Sequence, residues 1–263
     1  NDPAEGDIHR SSWFRAFLEE TPDWRHMIEE ENGKFVSEFV TQGPPEIESL
    51  RRFLPEEKLF PPTSDMWEFH NKDNPHAMRR NGHTHQQILI ELTRRLMGGF
   101  ATPEEFAAAA GILQGEFIKA EMEHYRREKW AISGGLMWMY NSCWPAVDWS
   151  IVDYYLRPKA AYYYTKRACA PVLVSFKPVE DAVRIYLTSD ERQRPLVGEL
   201  QVGIYTFGAC DFNVQSMPVE LQPNSSRAVW ESMPLSDLFD EPARQCLITF
   251  LNSGDATVSK NVY

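Results

Sequence analysis

Glu38 is the side chain best placed to do chemistry. It sits near the end of the apolar run Phe35-Val-Ser-Glu-Phe-Val-Thr-Gln42, and Gly43-Pro44-Pro45 then break the strand. In a β/α barrel the carboxyl ends of the strands carry the active site, so a carboxylate there is placed to meet substrate. The same position also suits a Glu that caps the next helix or pairs with an arginine. Trp138 lies in the apolar run Gly135 to Tyr140, and Asn141 and Trp144 just beyond it could contact a polar, ring-shaped ligand. Trp138 and Trp144 offer faces for the apolar side of a sugar ring, although Trp144-Pro145 reads equally as a packed turn and Trp138 equally as interior filling.

Several chemistries are excluded. His26, His76, His83, His85 and His124 form no HExxH or paired-ligand pattern, and His83-Thr-His85 alternates in a polar loop. Gly98-Gly99 and Gly134-Gly135 read as a helix stop and a strand start, not as a phosphate loop, and no Gly-x-Ser-x-Gly elbow is present. No cofactor or metal is expected. Cys143, Cys169, Cys210 and Cys246 lie far apart and read as buried free thiols. A formal net charge of -11 argues against a nucleic-acid partner and fits a neutral ligand. No apolar run reaches the roughly 18 residues of a membrane span. Asp148 and Asp153 read as structural, paired with Arg157 or Lys159 or capping loops. The mixed-charge run Glu121 to Lys129 reads as a solvated helix end.

The positioning elements follow from periodicity. The clearest helix is predicted over Pro103 to Arg127, with Thr102 as cap, Pro103 first and Glu105 completing a capping box; Phe106, Ala110, Leu113, Phe117, Ala120 and His124 make its buried face. A second spans His85 to Met97 and ends at Gly98-Gly99; a shorter one spans Pro45 to Phe53. Lys34 to Phe39 and Gly135 to Tyr140 read as buried parallel strands. After about residue 170 the pattern becomes short alternating strands separated by turns: 172–176, 183–187, 198–205, 212–219, 226–230, 245–251 and 257–263. The expected fold class is α/β followed by all-β: the C-terminal portion of a (β/α)8 TIM barrel over 1–168, then an immunoglobulin-like β-sandwich over 169–263.

Phe-Val-Ser-Glu38-Phe, followed by Gln42 and a Pro-rich turn, resembles the nucleophile strand of glycoside hydrolase family 2 β-mannosidases. Gly134-Gly-Leu-Met-Trp-Met-Tyr-Asn-Ser-Cys-Trp-Pro-Ala-Val-Asp-Trp149 and the run on to Tyr155 are similar to the eighth barrel strand of those enzymes and its loop. Arg157 to Tyr164 and Ala170 to Val174 resemble the exit into their sandwich, and Ala228-Val-Trp230 and Ser259 to Tyr263 also look like the family. The resemblance covers nearly the whole chain, and Gly134 to Val174 is its most specific segment.

The resemblance implies a retaining mechanism on a terminal β-mannoside or a related oligosaccharide, with exo-β-glucosaminidase and endo-β-mannosidase as close competitors within the family and a non-catalytic fragment or carbohydrate-binding accessory module as the alternative reading. Glu38 would attack the anomeric carbon; a second carboxylate, about 5–5.5 Å away, would protonate the leaving oxygen and then activate water. Donors beside Glu38 would keep it ionised. Trp138 would line the sugar pocket, with Asn141 and Trp144 on its rim. Trp67, His70 and Asn71 would occupy the loop after strand seven, and His9, in Gly6-Asp-Ile-His9, a loop after strand six. The family continues there with Tyr and Trp, whereas this sequence has Arg10 and Ser11. The family's acid/base, the Glu of an Asn-Glu pair, is missing; Glu30-Glu31-Asn32 has the wrong order, and Glu20, Glu68 and Glu91 have no better claim. With no initiator Met and no signal-like leader before the polar loop 1–6, the sequence reads as starting mid-protein. The missing N-terminal part of the enzyme is then an expected partner, the compartment stays open, and the 263-residue chain alone is expected to be inactive.

Overall fold

Two compact units make up the chain: residues 1–122 with 134–166, and residues 123–133 with 167–263. The computed structural model describes residues 6–21, 23–30, 32–71, 82–209 and 212–263; the readings made for residues 1–5, His76 and Cys210 lie outside them.

The first unit is built on a parallel three-stranded sheet, β1 (Asp7–Arg10), β2 (Phe35–Phe39) and β3 (Gly135–Met137), in that order. Parallel neighbours require long crossovers, and helices fill them. Between β1 and β2 lie α1 (Ser12–Leu18) and α2 (Trp24–Glu29). Between β2 and β3 lie α3 (Ile47–Leu50), α4 (Asp65–Phe69), α5 (His85–Met97) and α6 (Pro103–Arg127). Strand β1 corrects the sequence reading, which made Gly6 to His9 a loop. Four residues with one buried apolar side chain, Ile8, give no alternation to read; the pairing of Asp7 with Phe35 and Ile8 with Val36 defines the strand instead.

Helix α5 has the expected ends. The Thr84 hydroxyl accepts from Gln87 N at 3.2 Å, Thr84 N donates to Gln87 Oε1 at 3.0 Å, and Gly98 stops the helix at φ 89°. On α6 the cap is shifted: Glu105 N donates to Thr102 Oγ1 at 3.2 Å, but the Glu105 carboxylate accepts from Ala101 N, one residue before the cap. One apolar cluster joins Leu89 and Ile90 of α5 to Phe106 and Ala110 of α6 and to Trp67; another joins Ile88 and Leu92 to Leu113, Phe117, Trp13 and Trp24.

The run Glu121 to Lys129 is not solvated. Glu121, Glu123, His124 and Arg127 are all buried. Ser12 Oγ donates to Glu121 Oε1 at 2.6 Å, and Asn261 Nδ2 donates to Glu123 Oε1 at 2.8 Å. Burial of the Glu121 and Glu123 carboxylates is compensated by partners far away in sequence, which composition cannot show. Residues 123–133, with 167 and 168, belong to the second unit, whereas the sequence placed all of 1–168 in the first.

After α7 (Ala160–Ala168), the second unit contains two antiparallel sheets. β4 (Val172–Val179), β5 (Ala182–Ser189) and β8 (Ser226–Glu231) form one in the order β4-β5-β8. β6 (Leu196–Thr206), β7 (Phe212–Leu221), β9 (Gln245–Ser253) and β10 (Ala256–Val262) form the other in the order β10-β9-β6-β7. Each expected strand position is occupied. Inward residues of both sheets, among them Val174, Ile185, Leu187, Leu200, Val202 and Leu251, share one core. A short helix, α8 (Leu235–Leu238), connects β8 to β9. Contrary to the expectation of buried thiols, Cys143 is exposed and Cys246 half-buried, and both are free. No helix among the described residues is long and apolar enough to cross a membrane.

Candidate active site

Strand β2 is the middle strand of the parallel sheet, and it is bulged. Val36 to Phe39 spans three steps, yet the matching stretches are two steps on each neighbour, Ile8 to Arg10 on β1 and Gly135 to Met137 on β3. The extra residue on β2 brings Glu38 opposite His9. A bulge bends a strand and re-aims its side chains, a device common beside active sites. Glu38 is half-buried, and among the described residues its carboxylate has no hydrogen-bond or ion-pair partner. Among the described residues it is neither a helix cap nor held by an arginine. The donors expected to surround it are not among its described contacts either. His9 is exposed on β1, beside Glu38 in the sheet.

Trp138 follows β3 directly. Its N–H donates to Phe39 O at 2.9 Å, tying it to the residue after Glu38. It is 46% exposed in this chain. Tyr140, 61% exposed, and Asn141 continue the same open surface.

The other expected contacts separate into two groups. Trp67 is not a ligand contact. It lies on α4, fully buried, and its indole N–H donates to Lys58 O and Leu59 O at 3.0 and 3.2 Å while its ring meets Phe106 edge-on. Placing it in a loop overlooked that a short helix turns one face to the core. His70 and Asn71 are nearly buried, and both hold the loop after β3: Val147 N donates to His70 O at 2.8 Å, and Asn71 pairs with Val147 in a parallel bridge. His70 Nδ1 lies 2.8 Å from Pro145 O, and its ring stacks on Trp144 with centroids 5.2 Å apart. Half-buried Trp144 is packed: His70 stacks on one face, and Phe69, which is 63% exposed, meets it in a T-shaped contact.

Sequence reasoning missed the polar layer under these strand ends. Lys159, just before α7, is buried with its ammonium donating to Gly43 O at 2.9 Å, to Asp148 Oδ1 at 3.0 Å and to Asp148 O at 3.3 Å. Asp148 also accepts from Ser142 Oγ and Ser150 Oγ, both at 2.6 Å, and from Ser150 N at 3.0 Å. Burial pushes the Asp148 carboxyl up, but Lys159 and the two serines outweigh it and leave it below the ordinary carboxylate range. The expectation that Asp148 is structural holds. So does that for Asp153, whose Oδ1 accepts from Tyr155 N at 2.8 Å and Arg157 N at 2.9 Å. Only the alternation of Asp148 and Ser150 hinted at the network.

A half-buried carboxylate on β2 and an exposed indole just after β3 thus lie at the ends of adjacent parallel strands. No family model matches the chain. Over 183 residues it is 33% identical to beta-mannosidase B of Thermothelomyces thermophilus, and over 182 residues 31% identical to beta-mannosidase B of Aspergillus niger. The crystal structure of the beta-D-mannosidase from Dictyoglomus thermophilum matches 100% of this chain with a TM-score of 0.81 and 28% identity. The chain is β-mannosidase-like, of glycoside hydrolase family 2. An exo-chitosanase from Amycolatopsis orientalis, 20% identical with a TM-score of 0.70 over 88% of the chain, shares the fold and covers 27% of its own length here. The two beta-mannosidase B sequences match 66% and 67% of this chain, which spans only 20% of either, and 30% of the Dictyoglomus enzyme is covered.

Proposed function

We propose that this chain is part of a retaining exo-β-mannosidase and supplies its nucleophile, Glu38. The first unit would be the closing part of a (β/α)8 barrel and the second an immunoglobulin-like sandwich. The observation that carries the reading is the Glu38 carboxylate itself: half-buried, re-aimed by a bulge, without an ion-pair partner among the described residues, and one residue from the carbonyl that anchors Trp138. The similarity to beta-mannosidases over two thirds of the chain supports the substrate class.

In the proposed reaction the terminal mannose stacks on Trp138, and Tyr140, Asn141 and Trp144 border it. Glu38 displaces the aglycone at the anomeric carbon and forms a glycosyl ester, which water then hydrolyses with overall retention. The sequence contains no Asn-Glu pair, so the acid/base carboxylate would come from the portion of the relatives' length that this chain does not span. The outer edges of β1 and β3 carry no further strand among the described residues, and they are where the rest of the barrel would pair. The 263-residue chain alone should therefore bind sugar weakly and not turn it over.

The test is substitution in the full-length enzyme. Glu38→Gln and Glu38→Ala should lower turnover of an aryl β-mannoside about 10⁴-fold or more with folding intact, and azide should restore part of the Ala variant's rate by attacking in place of the carboxylate. A small loss with no rescue would make Glu38 structural.

A further inference from the structure

We infer that Asp148 and Lys159 are positioning residues for the glycosidase site: as a buried brace they fix the end of the Glu38 strand against the end of the Trp138 strand without touching substrate. The inference rests on the function proposed above.

The brace has four rungs between segment 41–43, which leaves β2, and segment 147–150, in the loop beyond β3. Gly43 N donates to Asp148 O at 3.1 Å, and Gln42 Nε2 donates to Val147 O at 3.2 Å. Gln114 of α6 reaches both segments, donating to Thr41 O at 2.9 Å and Ser150 O at 3.1 Å. Lys159 is the fourth, joining Gly43 O to Asp148. The fit at Gly43 is close: a Cβ there would stand 2.3 Å from Gln114 Oε1, so only glycine admits the glutamine. From 147–152 the connection returns to Trp138 through its neighbours, with Met139 N donating to Trp149 O at 3.2 Å and Val152 N to Tyr140 O at 2.9 Å. Glu38 is five residues from Gly43, and Trp138 is one residue from Met139.

Stability alone does not account for this arrangement. A buried ion pair gains little over a well-packed apolar pair of the same volume, because desolvation offsets attraction. What a lysine adds is direction: three fixed donor contacts to two chain segments 105 residues apart, Gly43 and Asp148. Direction is needed here because the bulge interrupts the β2 ladder on both sides at Glu38, so the strand's own pairing does not fix the carboxylate. A nucleophile tolerates only about 0.5 Å of displacement from productive geometry.

The experiment has two arms. In the 263-residue chain, amide hydrogen exchange is measured for Lys159→Met. The Gly43 and Trp138 amides should exchange about tenfold faster while amides in the middle of α5 keep their rates. A uniform rise across the first unit, or no change at Gly43 and Trp138, would overturn the inference. If Lys159→Met does not fold, Ser150→Ala, which removes one hydroxyl from Asp148, carries the same readout, and wild-type rates at both amides would overturn it. In the full-length enzyme, Lys159→Met should lower kcat about ten- to a hundredfold with KM changed less than about twofold, and Asp148→Asn added to it should cost little more because the two act as one unit. A folded variant with unchanged kcat would overturn the positioning role. Glu38→Gln is the control: if it leaves turnover intact, the glycosidase reading fails, whereas the exchange arm still reports on the brace.

Discussion

Trp67→Ala separates a core role from a ligand-contact role by magnitude. A tryptophan buries about 150–250 Å², and at about 25 cal/mol per Å² the upper part of that range gives roughly 5–6 kcal/mol of transfer free energy. Trp67 is fully buried against Phe106, and its N–H is shared by the carbonyls of Lys58 and Leu59. Truncation leaves a cavity beside Leu50, Leu54 and Leu89 and strips a donor from those carbonyls. Large aromatic-to-alanine changes in cores cost about 3–5 kcal/mol, a large part of the roughly 5–15 kcal/mol that stabilises a domain. Trp67→Phe keeps most of the apolar area and loses the N–H, so about 1–2 kcal/mol is expected. The assay is urea unfolding followed by hydrogen exchange of α5 and α6 amides, which reports the first unit separately from the sandwich, since one transition cannot describe two units. A side chain that only touched sugar would cost within about 0.5 kcal/mol. A Trp67→Ala protein with an unshifted first-unit transition and weakened sugar binding would refute the core assignment.

Other outcomes follow from the same contacts. Asp148→Asn leaves the buried Lys159 charge unpaired and should destabilise the first unit by about 3–5 kcal/mol. Because the folded Asp148 lies below its unfolded value of about 3.9, its contribution is complete above that pH and disappears as pH falls through the folded value; acid titration of the first unit should show this loss in wild type and a flatter profile in Asp148→Asn. Thr84→Ala removes the cap of α5 and should cost about 1 kcal/mol in urea unfolding, with a loss under about 0.3 kcal/mol showing that the capping box is dispensable.

The long elements were legible because their signals are local. Thr102-Pro103 and Gly98-Gly99 bound α6 and α5, and alternation between turn residues marks each strand from β4 to β10. Glu38 was legible at the level of strand and position, since an apolar run ending in Gly-Pro-Pro has few other readings. What escaped depends on distant partners. The bulge in β2 arises from its register with β1 and β3, which no single segment encodes. Strand β1 is too short to show a period, and α1 and α2 lack the caps that made α5 readable. The burial of Glu121 and Glu123 depends on partners including Ser12 and Asn261 respectively, each more than a hundred residues away. The Thr84-x-x-Gln87 box lies in the segment read as a polar loop around His83-Thr-His85, and His85 is buried edge-on to Trp13.

The most direct test of Glu38 is covalent capture. A 2-deoxy-2-fluoro-β-mannosyl fluoride carries a leaving group that needs little protonation and a substituent that slows hydrolysis of the ester, so the full-length enzyme should accumulate the glycosyl intermediate. Peptide mass spectrometry should then find one fluoromannosyl adduct, on the carboxylate of Glu38. An adduct on any other carboxylate, with Glu38 unmodified, would contradict the account.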